Sequence, residues 1–451
     1  MSINMEKKNL VILGGGESGV GAAILAKKQG YQIFVSEGKQ LSDKNKLELV
    51  EHGIDFEEGA HSVERILGAD EVIKSPGIPE KNDLVKKIKE KGVSVIGEIE
   101  FAYRFKGDSR IVAITGSNGK TTTTALIYHM CRYGKLNCAM VGNIGYSFAR
   151  QVATDPKSVY IVEISSFQLD DTLTFRPDIA IMTNITEDHL DRYDYSFQKY
   201  IDSKFRITMN QEAGDYFVYC SDDEITKQNI DRHSIQSKLL PYTMKEEPGI
   251  GAFIKNDEMK IRSEAEQISM SIYDFALKGK HNQYNSMAAA ITGSVLGLRK
   301  DTIRESMESF ESLEHRVEKV GTVKGVEFIN DSKATNINST WYALENMSKP
   351  TILILGGIDK GNDYEQILDL VIEKVKVIVC LGLDNKKIHD FFSPHIARIV
   401  DTVSAKQAVD ISFAFAEKGD VVLLSPACAS FDLFTNYEDR GKQFKQAVKE
   451  L

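Results

Sequence analysis

The feature that most constrains this chain is a short glycine loop. Ile111-Val112-Ala113-Ile114 is an apolar run of strand type, and Thr115-Gly116-Ser117-Asn118-Gly119-Lys120-Thr121 follows it without a spacer. Residues 122–130 then carry a helical pattern. A strand that turns through glycines into a helix aims backbone N–H groups and the positive helix end at one point, which suits a phosphate. In such a loop Lys120 offsets charge on a transferring phosphoryl group, and the Thr121 hydroxyl ligates Mg²⁺. Gly116, Ser117, Asn118, Gly119, Lys120, Thr121 and Thr122 are the expected phosphate-binding residues. Ile114 stands where the longer P-loop has its first glycine, and this shortening argues against GTPase-like relatives.

Around that loop, short apolar runs alternate with amphipathic stretches. Leu10–Leu13, Ile33–Val35, Val72–Ile73 and Val93–Ile96 read as strands separated by helical segments, and the rhythm restarts at Arg110 and again near Val320. The later strands are Val326–Ile329, Thr351–Leu355, Val375–Cys380 and Val421–Leu424. At roughly 100–200 residues per domain, 451 residues make about three. The expectation is three α/β domains in series, 1–106, 107–313 and 314–451. The first is Rossmann-like, the second a parallel sheet built around the glycine loop, the third Rossmann-like again.

A second glycine loop, Gly14-Gly15-Gly16-Glu17-Ser18-Gly19, also joins a strand to a helix, and Glu37 ends the next strand. Taken alone this pattern points to NAD or FAD, with Glu37 as the ribose-binding acid. Its physical content is broader, because any nucleotide diphosphate fits a glycine turn at a helix N-terminus. The plain alternative is a tight turn with no ligand. Ser75-Pro76-Gly77 follows the strand at Val72–Ile73 and forms a neighbouring loop on the same edge.

Three side chains downstream of the main loop stand out in the chain pattern. Glu163 ends the run Val159–Ile164, where a strand-tip acid is placed to hold Mg²⁺; a surface carboxylate is the ordinary alternative. His189 sits in the acid-rich segment Thr183–Arg192 after another strand, as a metal ligand or a structural histidine. Lys204 falls on the apolar stripe of a helix expected at Phe197–Asn210, with Phe197, Tyr200, Ile201, Phe205 and Thr208. A lysine facing inward must snorkel, pair with an acid, or be chemically altered. Farther on, the amides of Asn282 and Asn285 are one turn apart, and two strand-tip loops, Asn330–Asn336 and Ser425–Asp432, carry hydroxyls and charges that suit anions.

Composition removes several classes. The formal net charge is −9, which argues against nucleic acid, whose phosphates require a broad basic face. The five cysteines are scattered and form no CxxC pair, which disfavours disulfides and structural zinc and fits a reducing cytoplasm. Lys7 and Lys8 precede a stretch that mimics a signal peptide, but Gly14–Gly16, Glu17 and Gly19 interrupt it, and no apolar run is long enough to span a membrane. A cytoplasmic protein is expected.

Taken in order, TGSNGKTTT, EISSFQL, NITEDHLDRY, KGKHNQYN, HRVE, NDSKATN, LGGIDKG and SPACASFD make the chain similar to the Mur ligases of peptidoglycan synthesis over essentially its whole length. The last loop, followed by Asn436-Tyr437-Glu438-Asp439-Arg440-Gly441, resembles the D-glutamate-adding branch. The resemblance implies an ATP-dependent ligase that joins D-glutamate to UDP-N-acetylmuramoyl-L-alanine, as a monomer using two Mg²⁺ ions. It implies that Gly16, Glu17, Ser18, Glu37 and Gly38 contact the uridine end of the substrate, with Ser75, Pro76, Gly77 and Asn143 near its pyrophosphate and muramoyl parts. It places Lys120, Thr121, Glu163 and His189 at the ATP–metal site and makes Lys204 a carbamylated lysine; Lys120, His189 and Lys204 form the catalytic set. Asn282, Asn285, Arg316 and Asp331 match adenosine or phosphate contacts, and Lys333, Thr335, Lys360, Ser430 and Tyr437 the D-glutamate pocket. Closure of the third domain on the second is a further implication. Still open at this point are an NAD(P) oxidoreductase, a non-catalytic nucleotide-binding module, another amino-acid ligase of the same family, and a folylpolyglutamate-type synthetase.

Overall fold

The computed structural model describes residues 8–262, 267–310 and 314–451. Lys7 and the expected domain edge at 313 lie outside the described residues. The fold is α/β, with three sheets in which parallel pairing dominates. The first contains β1 (Asn9–Leu13), β2 (Gln32–Glu37), β3 (Asp55–Glu58), β4 (Glu71–Lys74) and β5 (Ser94–Gly97) in the order β3-β2-β1-β4-β5, all parallel. The order reverses at β1, and the glycine loop that follows β1 opens at that switch point, where α/β sheets place ligands.

The second sheet contains β6 (Arg110–Thr115), β7 (Cys138–Gly142), β8 (Val159–Glu163), β9 (Ile179–Met182), β10 (Tyr216–Cys220), β11 (Lys238–Thr243), β12 (Gly251–Lys255), β13 (Glu258–Arg262) and β14 (Gln267–Ser271). Its order is β14-β13-β12-β11-β10-β9-β6-β8-β7. Strands β6, β8 and β9 are buried along nearly their whole length, as expected when helices cover both faces of a parallel sheet. β6, whose end launches the main glycine loop, sits between β8 and β9, so Glu163 at the tip of β8 and the segment after β9 flank that loop. Strands β12–β14 add an antiparallel ribbon, with burial alternating along β13 and β14.

These two sheets belong to one compact unit, which holds the described residues up to 275 and 282–309. One hydrophobic core runs through both, from Leu10, Val20 and Leu25 to Phe148, Tyr160 and Phe205. The helix Glu17–Lys28 packs on the helix Phe148–Thr154, and Gly21 makes that approach close: a Cβ there would lie 1.9 Å from Ser147 Oγ. The carboxylate of Glu98, the first residue of the helix Glu98–Tyr103 after β5, accepts the N–H of Ala149. That of Glu100 accepts three successive N–H groups, Leu173 to Phe175.

The other unit holds 276–281 and the described residues from 310 onward. Its sheet contains β15 (Glu318–Val323), β16 (Val326–Asn330), β17 (Thr351–Leu355), β18 (Val375–Leu381), β19 (Ile399–Thr402) and β20 (Val421–Leu424), in the order β15-β16-β20-β17-β18-β19. Only β15 runs antiparallel. Two apolar clusters cover its two faces, one centred on Leu353 and Ile378, the other on Val422 and Phe444. Among the described residues no helix is long and apolar enough to cross a membrane.

Candidate active site

The loop after β6 is held open by its neighbours. Gly116 has φ +140° and Gly119 φ +80°, conformations that L side chains rarely adopt. A Cβ at Gly116 would sit 1.9 Å from Thr183 Oγ1, and one at Gly119 2.5 Å from Asn285 Oδ1. The segment after β9 braces the loop: Ser117 N–H donates to the Asn184 carbonyl at 2.8 Å, and Asn118 N–H to Asn184 Oδ1 at 3.0 Å. Ser117 Oγ donates to the Thr186 carbonyl at 2.8 Å. Thr121 is buried in the first turn of the helix Lys120–Tyr133, and Thr122 lies beside it. Asn285 accepts from Thr123 Oγ1 at 3.2 Å and donates to Asn282 Oδ1 at 3.3 Å, so this amide pair stands at the glycine loop.

Lys204 does not snorkel. It is 2% exposed, its Nζ donates to the Gly116 carbonyl at 2.7 Å, and it lies 4.5 Å from the centre of the Tyr200 ring. Lys120 Nζ donates to the same carbonyl at 2.8 Å and to that of Ser117. Burial, then the nearby Lys120 charge, push the Lys204 amine well below the ordinary lysine range, against the weaker pull of Asp188 and Asp170. The α-helix carrying it ends at Phe205, earlier than expected, and continues as a 3₁₀ turn, Arg206–Thr208. The expected stripe is otherwise inward: Tyr200, Ile201, Phe205 and Thr208 are buried, Phe197 half-buried.

Both lysines line a cavity of about 340 Å³ together with Pro76, Gly77, Asn143 and His189. Of these six, Asn143 and His189 are on loops of the second sheet, Lys120 and Lys204 on its helices, and Pro76 and Gly77 come from the tip of β4 in the first. Glu163 is buried behind the wall, and Asn143 Nδ2 donates to its Oε1 at 2.8 Å. His189 has φ +52° and stands 3.6 Å from Asp188, edge-on to Phe167. Sequence reasoning gave no role to Arg192, although the segment containing it was singled out. Its guanidinium donates to the carbonyls of Pro76 at 3.0 Å and Gly77 at 3.3 Å, over the face of Phe167. The lone signal available was its place in an acid-rich strand-tip loop. Lys74, buried against Asp171 at 2.7 Å, holds the same Ser75–Gly77 turn from behind through the Ile78 carbonyl.

The first glycine loop is as close-packed as its pattern requires. A Cβ at Gly19 would fall 1.9 Å from the Gly14 carbonyl, and one at Gly14 2.3 Å from Ser75 Oγ. Glu37 spends its oxygens partly on the backbone, accepting from Gly15 N–H at 2.8 Å and Lys39 N–H at 3.0 Å. Gly38 lies against His61. Gly16 precedes the first helical turn, where Glu17 and Ser18 stand. The Glu17 carboxylate is committed to Arg150, 2.7 Å away, and to the Ser147 N–H. What this turn presents outward is therefore mainly backbone N–H.

With this geometry in view, comparison with known proteins is informative. The MurD N-terminal domain model matches residues 9–84, the Mur ligase middle domain 114–293, and the Mur ligase glutamate ligase domain 315–428. A UDP-N-acetylmuramoylalanine–D-glutamate ligase of Bacteroides thetaiotaomicron is 52% identical over 98% of this chain and 100% of its own length. The chain belongs to the Mur ligase family. A ligase of the same description from Christiangramia forsetii is 50% identical over 98% of this chain and all of its own length. Among solved structures, the Thermotoga maritima UDP-N-acetylmuramate–alanine ligase aligns with a TM-score of 0.63 at 17% identity, covering 98% of this chain and 99% of that one. A MurF ligase from Thermotoga maritima, solved with ADP, aligns with a TM-score of 0.60 at 14% identity, covering 93% and 95%. At such identities these structures speak for the Mur ligase fold alone.

The remaining Mur ligase motifs gather at the strand tips of the third sheet. β16 ends at Asn330, and Asn336 caps the helix Ile337–Glu345 by accepting the Ser339 N–H at 2.8 Å. Between them, Asp331 is buried and accepts from Ser425 Oγ at 2.8 Å; burial pushes its carboxyl up to about 7, against that hydrogen bond and the charges of Arg316 and Arg440. The loop of Lys360 lies on that of Ser430 through paired backbone bonds between Ile358 and Ala429. Lys333 Nζ sits 5.4 Å from the centre of the Tyr437 ring. Thus Lys333, Lys360 and Ser430 occupy strand-tip loops, Tyr437 opens the helix Tyr437–Lys449, and half-buried Thr335 lies two residues beyond Lys333. Arg316 is half-buried on the segment entering β15.

Proposed function

We propose that this chain joins D-glutamate to UDP-N-acetylmuramoyl-L-alanine, consuming ATP and releasing ADP and phosphate, as a monomer in cytoplasmic peptidoglycan precursor synthesis. The observation that carries the reading is the cavity shared by two motifs. Pro76, Gly77 and Asn143, matched to the nucleotide-sugar substrate, line the same space as Lys120, His189 and Lys204, matched to ATP activation. A substrate held by its uridine end at the first glycine loop would extend its terminal carboxylate toward the second.

In the first step a carboxylate oxygen attacks the γ-phosphorus, forming an acyl phosphate as ADP leaves. In the second the D-glutamate nitrogen attacks the acyl carbon, the C–N bond forms, phosphate departs and the nitrogen loses a proton. Both partners of the first step are anionic, so charge neutralisation dominates. Lys120, the loop N–H groups and the start of the helix Lys120–Tyr133 supply it from the protein. Arg192 keeps the Pro76–Gly77 turn seated. His189 lines the cavity as a candidate acceptor for the amine proton.

Thr121, Glu163, His189 and an anionic form of Lys204 would hold two Mg²⁺ ions, which would neutralise phosphate charge. The setting of Lys204 suits that role: a neutral buried amine can attack CO₂, forming an N–C bond and losing one proton to give a carbamate oxygen ligand. An ammonium there would repel cations. Lys333, Lys360, Ser430 and Tyr437 supply the cations and hydrogen-bonding groups that the two carboxylates of D-glutamate require.

The test is a phosphate-release and product assay with UDP-N-acetylmuramoyl-L-alanine, comparing D-glutamate, L-glutamate, L-alanine and a diamino acid. D-glutamate alone is expected to support sustained ADP production. Turnover with the diamino acid or L-alanine, or none with D-glutamate, would overturn the assignment.

A further inference from the structure

Away from the cavity, the described residues include one group of three metal-ligating side chains, at the edge of the third sheet. Cys380 lies on β18 and Asp401 on β19, and the parallel register pairs them directly. Side chains at paired positions of neighbouring strands point to the same face of a sheet. The crossover between these strands contains the helix Lys386–Phe392, and its His389 places Nε2 2.9 Å from Asp401 Oδ1. The βαβ connection thus brings a sulfur, an imidazole nitrogen and a carboxylate oxygen within 4.8 Å of one another.

From this geometry we infer that Cys380, His389 and Asp401 form a binding site for a divalent ion of the zinc class, with water completing its shell. The donor set chooses the ion: a thiolate and an imidazole suit Zn²⁺ or Co²⁺ and disfavour Mg²⁺ and Ca²⁺, which take oxygen. With one carboxylate in three, this is not a patch of surface acids. In tetrahedral zinc sites the bond lengths put neighbouring ligand atoms about 3.2–3.8 Å apart, within reach of small side-chain rotations here.

Access is graded in the right direction. Cys380 is fully buried at the floor, while the side chains of His389 and Asp401 are 35% and 58% exposed at the mouth. A second layer orients the carboxylate: Asn385 Nδ2 donates to Asp401 Oδ1 and to the Gly382 carbonyl, each at 3.0 Å. Binding replaces the thiol S–H bond by a sulfur–metal bond and releases that proton to solvent, with no change of oxidation state. Because β19 is the edge strand, the ion would fasten it to β18 through the helix between them. The site stands whether or not the ligase reading does.

The test is titration of the whole reduced chain with Co²⁺, followed by the near-ultraviolet thiolate-to-cobalt charge-transfer band. A band that saturates at one ion per chain and is displaced by Zn²⁺ but not by excess Mg²⁺ is expected. His389→Gln and Asp401→Asn, at partly exposed positions where folding is safe, should each weaken Co²⁺ binding about tenfold or more. Cys380→Ser should abolish the band. No band in the unaltered chain, or one unchanged in both exposed variants, would overturn the proposal.

Discussion

Two lysine side chains converge on one carbonyl at the centre of this site. Lys120 and Lys204 both donate to Gly116 O, and Lys204 is buried without a carboxylate within bonding distance among the described residues, so burial holds its amine well below the ordinary lysine range. Two outcomes follow at this scale. Lys204→Ala should lower turnover at least about 100-fold, the range seen when one preorganised electrostatic group is removed, and short carboxylates should restore part of it. Full activity in the unrescued variant would exclude a carbamate. For stability, the unfolded chain binds a proton at Lys204 below its ordinary value of 10.5, whereas the folded chain does not until a much lower pH. Stability contributed at this residue therefore rises with pH across that interval and levels off above 10.5. Lys204→Met should be more resistant to urea than the unaltered chain at pH 7 in CO₂-free buffer, and the difference should shrink by pH 9.

Among the elements, the helices Glu17–Lys28 and Phe148–Thr154 pack the first sheet's domain onto the second sheet, and the first glycine loop leads into the former. Gly19→Ala would drive a methyl into the Gly14 carbonyl, a backbone atom that cannot step aside, and overpacking of this kind costs about 1–3 kcal/mol. The expected result is a raised KM for the nucleotide-sugar substrate with that for ATP little changed, measured by initial rates. Glu98, on the helix after β5, accepts a hydrogen bond in the first turn of the helix Phe148–Thr154, and its burial raises the carboxyl from 4.5 to about 7. Between those pH values the folded chain holds a proton that the unfolded chain has lost. Stability thus falls as pH rises through this window and is flat above it, by on the order of 3 kcal/mol (1.36 kcal/mol for each pH unit between 4.5 and about 7). Glu98→Gln keeps an acceptor for Ala149 N–H and removes the titration. Denaturation midpoints at pH 5 and pH 8 should accordingly differ less in the variant than in the unaltered chain.

For the whole molecule, the three sheets do not imply three independent folding units. One core runs from Leu10 to Phe205 through the first two sheets, while the third sheet has its own clusters on both faces. Calorimetry is expected to resolve two transitions, and limited proteolysis to leave two resistant fragments; a separately stable fragment ending near 106 would contradict this. This was the level least legible in the chain. Short apolar runs bounded by glycine announced the central strands and both loops, because burial on two faces and φ beyond the reach of L residues leave marks in sequence. Lys204 was visible as a misfit on an apolar stripe, and the motif order pointed to the Mur ligases. Arg192 carried no such mark, because its value comes from two carbonyls more than a hundred residues away. The same holds for Cys380, His389 and Asp401, which become neighbours through strand register and the packing of the crossover helix. Local chemistry, the backbone freedom of glycine and the period of burial, was written in the order of residues. What the tertiary structure alone decided was proximity: which charges share a carbonyl, which carboxyls lose water, and which two sheets share one core.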